Sequence, residues 1–589
     1  MKEKWVVKNK SADFAAISAR FGVSPVVARM LVNRGVTQEK QIQAYLHPSV
    51  EQLHEPELLK DAKKTGRILK EKIAQGKKIR IIGDYDVDGV VSTYIWITVL
   101  RECGADVDYV IPERIRDGYG INLRMVEEAV AQGVDTILTC DNGIAAVEQT
   151  EVANAHGLTV LITDHHELQE TLPNAEAVVN PKQPDCGYPY KGLCGAAVAY
   201  KVAKLLFDMV FEGAEFADKR EGFDERMLPF VAIATVCDVM ELTGENRSIV
   251  SLGLELLRHT VHPGFRALME VNKIAPEQLS AYHLGFVIGP CLNATGRLET
   301  AVRGVELLMA KERAKAERLA GELKELNEVR KDLTAKGLEQ AVEQVETQKL
   351  SEDKVLVVYL PDCHESLAGI IAGRLREKYN RPSIVLTAAK QGLKGSGRSI
   401  EAYSMFERLQ ECRELLAQFG GHPMAAGLSL KEENLEPLRR KLNACSGLSE
   451  EDLIPKITID AVLALSGLSE ALVRELDCLE PFGRANEKPV FAEKALKINR
   501  ISVVGKTRPM MKFRLEDAYG CRMDAMYFGD AQSLEQEMTD KYGEQEMRRM
   551  YQGNGSIARM SVIYYPRVNE FRGERTVEIV IQHYQLCDV

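Results

Sequence analysis

At 589 residues the chain is too long for a single hydrophobic core, and its length predicts three or four domains. With 45% hydrophobic and 28% charged residues it reads as globular, while the N-terminal MKEKWVVKNK lacks an apolar core and no hydrophobic stretch approaches the roughly 20 residues of a membrane helix, so a cytoplasmic location with no membrane partner is expected. Twelve cysteines without a CxxC pair argue for free thiols and against a zinc cluster, and a net charge of −10 neither favours nor excludes nucleic acid, because a local basic channel can coexist with an acidic whole.

The first third alternates strand and helix. KKIRIIG predicts a strand, VVSTYIWITVLREC a helix, ADVDYVIP a strand and NLRMVEEAVAQG an amphipathic helix; VDTILTC, IAAVEQTEVANAHG and LTVLIT repeat the rhythm. That alternation predicts a parallel sheet with crossover helices on both faces. Three strands end in acidic clusters: Asp84, Asp86 and Asp88 follow IRII, Asp141 follows TILTC, and Asp164, His165 and His166 follow TVLIT. Ligands of open α/β sheets bind beyond the carboxyl ends of strands, so these groups are expected on one rim.

Carboxylates and imidazoles converging there form a donor set for hard or borderline divalent cations, Mn²⁺ or Mg²⁺, whose charge would let neighbouring aspartates stay ionised. A DxDxDG string by itself is equally a solvated turn or a calcium loop. The EF-hand version, however, needs a glutamate where this chain has Ile95.

Residues 301–350 are highly charged, with Leu319, Leu323, Leu326, Val329 and Leu333 at three- and four-residue steps, which predicts one long helix, or one with a single break, acting as a solvated connector. The next block opens with the strand KVLVVYL and reaches GSGRS, where Ser396 and Arg398 could contact an anion, and FGGHP with His422. From about 455 the pattern changes to period two. Met511, Phe513 and Leu515 face one way and Lys512, Arg514 and Glu516 the other, as in a half-buried strand. Several such segments predict a small antiparallel barrel, whose Lys512, Arg514, Tyr527, Phe528, Arg567, Phe571 and Arg572 suit base stacking and phosphate tracking; aromatics filling the barrel core are the plainer alternative.

DHH at Asp164–His166, with DYDVDG and the DNG at Asp141–Gly143, resembles the DHH phosphoesterases. ATVCDVMEL resembles their fourth metal motif, which would add Asp238, and GPCLNATGRLETA, holding Asn293 and Arg297, is similar to the NAxGR signature of the single-strand-specific 5′ to 3′ exonucleases among them. The resemblance covers nearly the whole chain. It implies a parallel-sheet DHH domain at 51–300, a long linking helix at 301–350, an α/β DHH-associated nucleic-acid-binding domain at 351–450 and an OB-like single-strand-binding barrel at 455–589, with residues 1–50 packing on the core. In CHESLAGIIAGR the family pattern would have glycine and a β-branched residue in place of Ser366 and Leu367.

The resemblance further implies two divalent ions held by Asp86, Asp88, Asp141, His165 and Asp238, with Asp84 beside them. Asp164 would orient the histidine pair from behind, and His166 would reach a phosphate oxygen. A pocket for the 5′ end would use Arg114, Arg297, Ser396 and Arg398, with Asn293 and His422 also facing substrate. The implied activity is stepwise release of 5′-mononucleotides from single-stranded DNA in repair and recombination, by a monomer, with a single-strand-binding protein and a DNA helicase as candidate partners. Two alternatives stay open: a DHH phosphodiesterase of short oligonucleotides or cyclic dinucleotides, and a non-catalytic single-strand-binding scaffold.

Overall fold

The computed structural model describes residues 3–505, 510–571 and 573–588. The chain divides into two compact units, one formed by Val50–Glu241 and Glu245–Pro455, the other by Glu3–Ser49, Leu242–Gly244 and the chain from Lys456 onward.

In the first unit, five parallel strands stand in the order Val107–Val110, Ile79–Ile82, Thr136–Cys140, Thr159–Thr163, Ala177–Val179. The three central strands are short and almost wholly buried because both faces are covered, while the edge strand Val107–Val110 is partly open. Ile82, Ile137, Val160 and Ile162 pack with Met125, Val126 and Ala153 of the helices Leu123–Ala131 and Val147–Ala155, while the helices Val87–Glu102 and Gly195–Val210 lie together on the other face. Strand order reverses between Ile79–Ile82 and Thr136–Cys140, which makes their carboxyl ends the topological switch point of the sheet. Asn142 seals it: its side-chain amide donates to the Ile82 and Cys140 carbonyls at 3.0 and 2.9 Å.

The acidic loop after Ile82 is tighter than a solvated turn. The helix already begins at Val87, so Asp86 is its N-cap, accepting from Gly89 N at 3.1 Å, and Asp88 lies in its first turn. Glycine is required at both ends, since a Cβ on Gly83 would stand 2.1 Å from Thr93 Oγ1 and one on Gly89 2.4 Å from the Asp84 carbonyl oxygen.

The charged segment after 301 forms a short helix, Val302–Leu308, and then Arg313–Thr347. At 1.5 Å per residue the latter spans about 52 Å. It differs from a solvated connector. Its buried seam runs through Ala316, Leu319, Ala320, Leu323 and Asn327, then Thr334, Gly337, Ala341 and Val345, whereas Val329 and Leu333 are exposed. The reason is that the helix packs along its length, on Pro263–Val271 and Gly289–Leu298 first and on Ala368–Tyr379 beyond.

The block after it carries a mixed sheet ordered Gln418–His422, Ala425–Leu430, Gly392–Arg398, Ser383–Ala389, Leu356–Tyr359, with only the last pair parallel. Helix Ala368–Tyr379 and the end of the long helix cover one face through Ala341, Val345, Ile371 and Leu375. On the other face Leu386, Leu393 and Leu428 meet Met405, Leu409 and Leu438.

The second unit is a closed barrel. Strands Phe491–Val504, Met510–Glu516, Arg522–Tyr527, Glu574–Leu586 and Arg559–Phe571 follow one another, and the last pairs back onto the first; the barrel is not wholly antiparallel as expected, because Arg522–Tyr527 and Glu574–Leu586, separated in sequence by the helices Ala531–Tyr542 and Glu544–Gln552, pair in parallel. Met511, Phe513 and Leu515 point inward as the alternation predicts. Lys512 and Arg514 both pair with Asp524, and Arg567 with Glu578, so these cations are already matched by carboxylates. Arg572 and the side chain of Phe571 lie outside the described residues. The N-terminal segment belongs to this unit: Lys4–Val7 pairs in parallel with Lys456–Ile459, and Val27, Met30, Leu31, Ile42 and Tyr45 join the barrel core. Among the described residues no single helix is long and apolar enough to cross a membrane.

Candidate metal centre and anion cradle

The switch point brings the acidic strand ends together in three overlapping groups. Asp84, Asp86 and Asp141 offer ligand atoms within 4.8 Å of one another, and so do Asp88, His165 and Asp238, and Asp141, His165 and His166. Asp141 joins them, its Oδ1 lying 3.1 Å from His165 Nε2, which is also 3.6 Å from Asp88 Oδ2 and 3.7 Å from Asp238 Oδ2. Two backbone N–H groups anchor Asp88, Gly195 at 2.6 Å and Ala196 at 2.8 Å, where the helix Gly195–Val210 points its positive end at the carboxylate. A Cβ on Gly195 would stand 2.6 Å from Asp141 Oδ1, so only glycine admits both aspartates at that helix end.

Two site residues stand in left-handed backbone, Asp141 at φ 61° and Val239, next to Asp238, at φ 55°. For a β-branched valine that conformation is costly, and such strain concentrates where the surroundings impose it to aim a functional group.

The donor set fits a metal pair. Asp84 Oδ1, Asp141 Oδ1 and both ring nitrogens of His165 are buried without a hydrogen-bond partner, a cost that protein interiors avoid unless another ligand satisfies the atoms. Burial, and after it the neighbouring carboxylates, pushes Asp84, Asp141 and Asp238 well above the ordinary range. Divalent cations would reverse that direction.

Asp164 is a different kind of carboxylate. Its Oδ1 accepts from His165 N at 2.7 Å, His166 N at 3.1 Å and His166 Nδ1 at 2.7 Å, and its Oδ2 accepts from Ile144 N at 2.9 Å. Burial alone would raise it, but the His166 hydrogen bond and the histidine charges outweigh burial and hold it at about 2. His166 answers in kind: burial lowers it, the Asp164 carboxylate more than compensates, and it sits at about 9. His165 is lowered, by burial first.

Beside the acidic centre lies a cluster of arginines. Arg297 is half-buried and pushed down to about 10, by desolvation first and then by Arg114 and Arg330; its Nη1 donates to the Ser366 carbonyl at 2.7 Å. The unexpected Ser366 is thus buried and takes part, its Oγ lying 2.7 Å from His364 Nδ1. Arg114 stacks on Tyr85, 3.8 Å from the ring centroid. Arg398 is lowered by desolvation and by Arg376, and its Nη1 donates to Ser396 Oγ at 3.0 Å. Gly369, in the first turn of Ala368–Tyr379, lets both approach, for a Cβ there would be 2.8 Å from Arg398 Nη2 and 3.0 Å from Ser396 Oγ. Desolvated guanidiniums gathered beside a helix N-terminus form a receptor for an anion. Asn293 Oδ1 accepts from Val87 N at 3.2 Å, at the start of the acidic helix. His422 is exposed and stands in register with Arg398 across Ala425, two strand spacings or roughly 9.6 Å away.

Three family models match the chain: "DHH family, N-terminal domain" at residues 78–235, "DHHA1 domain" at 352–447 and "RecJ OB domain" at 459–583. The single-stranded-DNA-specific exonuclease RecJ of Bacillus subtilis strain 168 is 35% identical over 99% of this chain and 70% of its own length, and that of Dickeya dadantii strain 3937 is 34% identical over 95% of each. The chain belongs to the RecJ family. The crystal structure of Thermus thermophilus RecJ in complex with Mn²⁺ superposes with a TM-score of 0.81 at 26% identity, covering 100% of this chain and 80% of that one, and a Mg²⁺ complex of the same protein with 0.75.

The RecJ signatures leave several site residues unmarked. Tyr119 donates to the Asp141 carbonyl at 2.7 Å and lies 3.0 Å from His166 Nδ1, linking the two strand ends. Only its place in the glycine-bracketed DGYG could have drawn notice. Tyr85, Gly195 and Gly369 act through close approach, which no spacing in the sequence records.

Proposed function

We propose that the chain is a metal-dependent, single-stranded-DNA-specific exonuclease that works from the 5′ end and releases 5′-mononucleotides in DNA repair and recombination. One observation carries the reading: two donor groups, one of Asp84, Asp86 and Asp141 and one of Asp88, His165 and Asp238, meet where Asp141 approaches His165 at a sheet switch point, beside an arginine cradle. In this reading Asp84, Asp86 and Asp141 would hold one divalent ion and Asp88, His165 and Asp238 the other, Mn²⁺ or Mg²⁺, with Asp141 beside both. When bound, the pair supplies an acidified water and positive charge against the phosphodiester.

The chain's own groups do the rest. Asp164, its lone pairs taken up by four donors, fixes the ring of His166 and holds the backbone of His165. His166, held protonated to about 9, offers an N–H to a non-bridging phosphate oxygen. Arg114, Arg297, Ser396 and Arg398 anchor the 5′ phosphate and so set the cut one step away, while Asn293 and His422 bound the path of the strand. Anchoring a terminal group beside the centre yields products one nucleotide at a time.

The domain assignment follows: phosphoesterase at 51–300, linking helix at 301–350, DHH-associated domain at 351–450, single-strand-binding barrel at 455–589. A barrel of that size serves a polymer and is superfluous for a cyclic dinucleotide, and a complete donor set is superfluous for a scaffold. Duplex DNA exposes no free strand, so the same reading calls for a helicase to supply one and a single-strand-binding protein to hold it, with the enzyme acting as a monomer in the cytoplasm. The test is a time course on 5′- and 3′-labelled single strands with and without Mn²⁺. Mononucleotides from the 5′ label at the earliest times are expected. Release from the 3′ end, or an intact strand, would overturn the reading.

A further inference from the structure

The helix that carries Asn293 and Arg297 begins well before them, and its first turns are unlike an ordinary surface. Residues 281–298 run without interruption, with a π-helical turn at Leu284–Ile288 in which Gly289 N bonds to the Leu284 carbonyl. Such turns cluster at functional sites, because the extra residue re-aims a helix face. Tyr282 and Phe286 are 62% and 68% exposed, yet their rings stack, with centroids 5.1 Å apart and planes at 24°. Large aromatic surface left in water and already ordered is unusual on a protein face without a ligand.

The position of this pair is fixed by what lies beneath it. Leu284 and Ile288 are buried, and a Cβ on Gly289 would meet Cys237 Sγ at 2.4 Å, so the π turn is pressed onto the residues that immediately precede Asp238. Tyr282, Phe286, Pro290, Asn293 and Arg297 follow at steps of four, four, three and four, and none of them is fully buried, so they make one partly open stripe. It runs from the aromatic pair, past the loop of Asp86 and Asp88 that Asn293 touches through Val87 N, to the arginine cradle at Arg297. From Tyr282 to Arg297 the rise is about 22 Å, the reach of a handful of nucleotides.

We propose that Tyr282 and Phe286 form a stacking platform for bases of the single strand several nucleotides inward from the anchored 5′ end. The occupant follows from continuity: the platform lies on the same helix stripe as the groups that meet the terminal phosphate, and a stacked aromatic pair accepts any base through its π-face, as a sequence-indifferent exonuclease requires. The inference rests on the exonuclease reading above.

Anisotropy titrations in EDTA, with a 5′-phosphorylated 20-nucleotide single strand and a 5′-phosphorylated dinucleotide, test it on the whole chain. The double variant Tyr282→Ala/Phe286→Ala should bind the long strand at least tenfold more weakly, within the about 5- to 150-fold span for one stacked base. Its loss on the dinucleotide should be at least tenfold smaller, and Tyr282→Phe/Phe286→Tyr should restore the long-strand affinity. A 20-mer that is abasic beyond its second nucleotide should not distinguish wild type from the alanine variant. Unchanged long-strand affinity, or equal loss on both lengths, overturns the platform, the first outcome leaving the patch as a protein-docking face. If the wild type itself fails to bind or digest the strand, the exonuclease reading falls instead.

Discussion

Replacing Gly369 by alanine should damage recognition of the 5′ phosphate while leaving the fold intact. The added Cβ would stand 2.8 Å from Arg398 Nη2, 3.3 Å from its Cζ and 3.0 Å from Ser396 Oγ. Non-bonded carbon needs about 3.5 Å, so the guanidinium must retreat by roughly 0.7 Å. Arg398 is the mobile partner, because the helix backbone carrying residue 369 is held by its own hydrogen bonds. A displacement of that size breaks one charge-assisted hydrogen bond to a bound phosphate, worth about 1.5–3 kcal/mol, or roughly 10- to 150-fold in affinity. The same substitution favours the helix intrinsically by about 0.8–1 kcal/mol, so the melting temperature should hold or rise. The assay compares kcat/KM for nucleotide release from strands identical except for a 5′ phosphate or a 5′ hydroxyl, with Arg398→Ala as the benchmark. The variant should lose most of its preference for the phosphorylated strand. Equal losses on both ends, or an unaltered preference, would refute a cradle built on the approach of Arg398 to this helix.

Three further outcomes are expected. Asp141→Ala should abolish cleavage, because one donor group loses a member and the other the carboxylate beside His165, while strand binding measured by anisotropy largely persists; loss of both would mark the residue as structural. Tyr119→Phe removes the hydroxyl that joins the Asp141 carbonyl to His166, and one hydrogen bond of about 0.5–1.5 kcal/mol predicts a roughly 2- to 12-fold fall in kcat with metal affinity retained, so an equal shift of the metal titration would refute the assignment. Glu493 in the barrel is raised from 4.5 to about 7, by burial first, so its ionisation opposes folding: stability should fall as pH rises from about 4.5 through 7. Glu493→Gln should therefore raise the melting temperature at pH 8 and give no gain at pH 5, with the reverse order counting against this carboxyl being buried.

The rim of the first sheet was legible because it rests on local patterning: short apolar strands, each followed at once by carboxylates or imidazoles, leave little choice about where those groups emerge. Asp84 was harder to place, since alternate aspartates look equivalent in a string; its buried, partnerless Oδ1 beside Asp86 and Asp141 is what sets it among the donors. The long helix shows a limit of period counting. Val329 and Leu333 fit the apolar steps, but a helix that packs successively on different partners rotates its contact seam, and the seam passed to Gly337 and Ala341 instead. The join between the N-terminal segment and the barrel was illegible for a plainer reason. Lys4–Val7 meets Lys456–Ile459 across some 450 residues, and four residues of which only Trp5 is half-buried carry no signal of so distant a partner. Close approaches at Gly195 and Gly369 are invisible in the same way, because a glycine's neighbours belong to other elements.

The two histidines of the DHH tripeptide show how one short string yields two chemistries. Both adjoin Asp164, but only His166 presents Nδ1 to its carboxylate, and that contact raises it to about 9 while burial lowers His165. A neutral imidazole has a lone pair to give a metal; a protonated one has only N–H to give a phosphate. The carboxylates divide by the same test. Asp164, saturated by donors, is held at about 2, whereas Asp84, Asp141 and Asp238 are pushed upward by burial first and then by the neighbouring carboxylates. At this rim the direction of shift therefore separates Asp164, surrounded by donors, from Asp84, Asp141 and Asp238, which burial and like charges raise. It also explains why Asp164→Asn should be more damaging than the loss of one hydrogen bond: the amide could not hold His166 protonated, and a second neutral imidazole would compete for the metals that His165 is placed to bind.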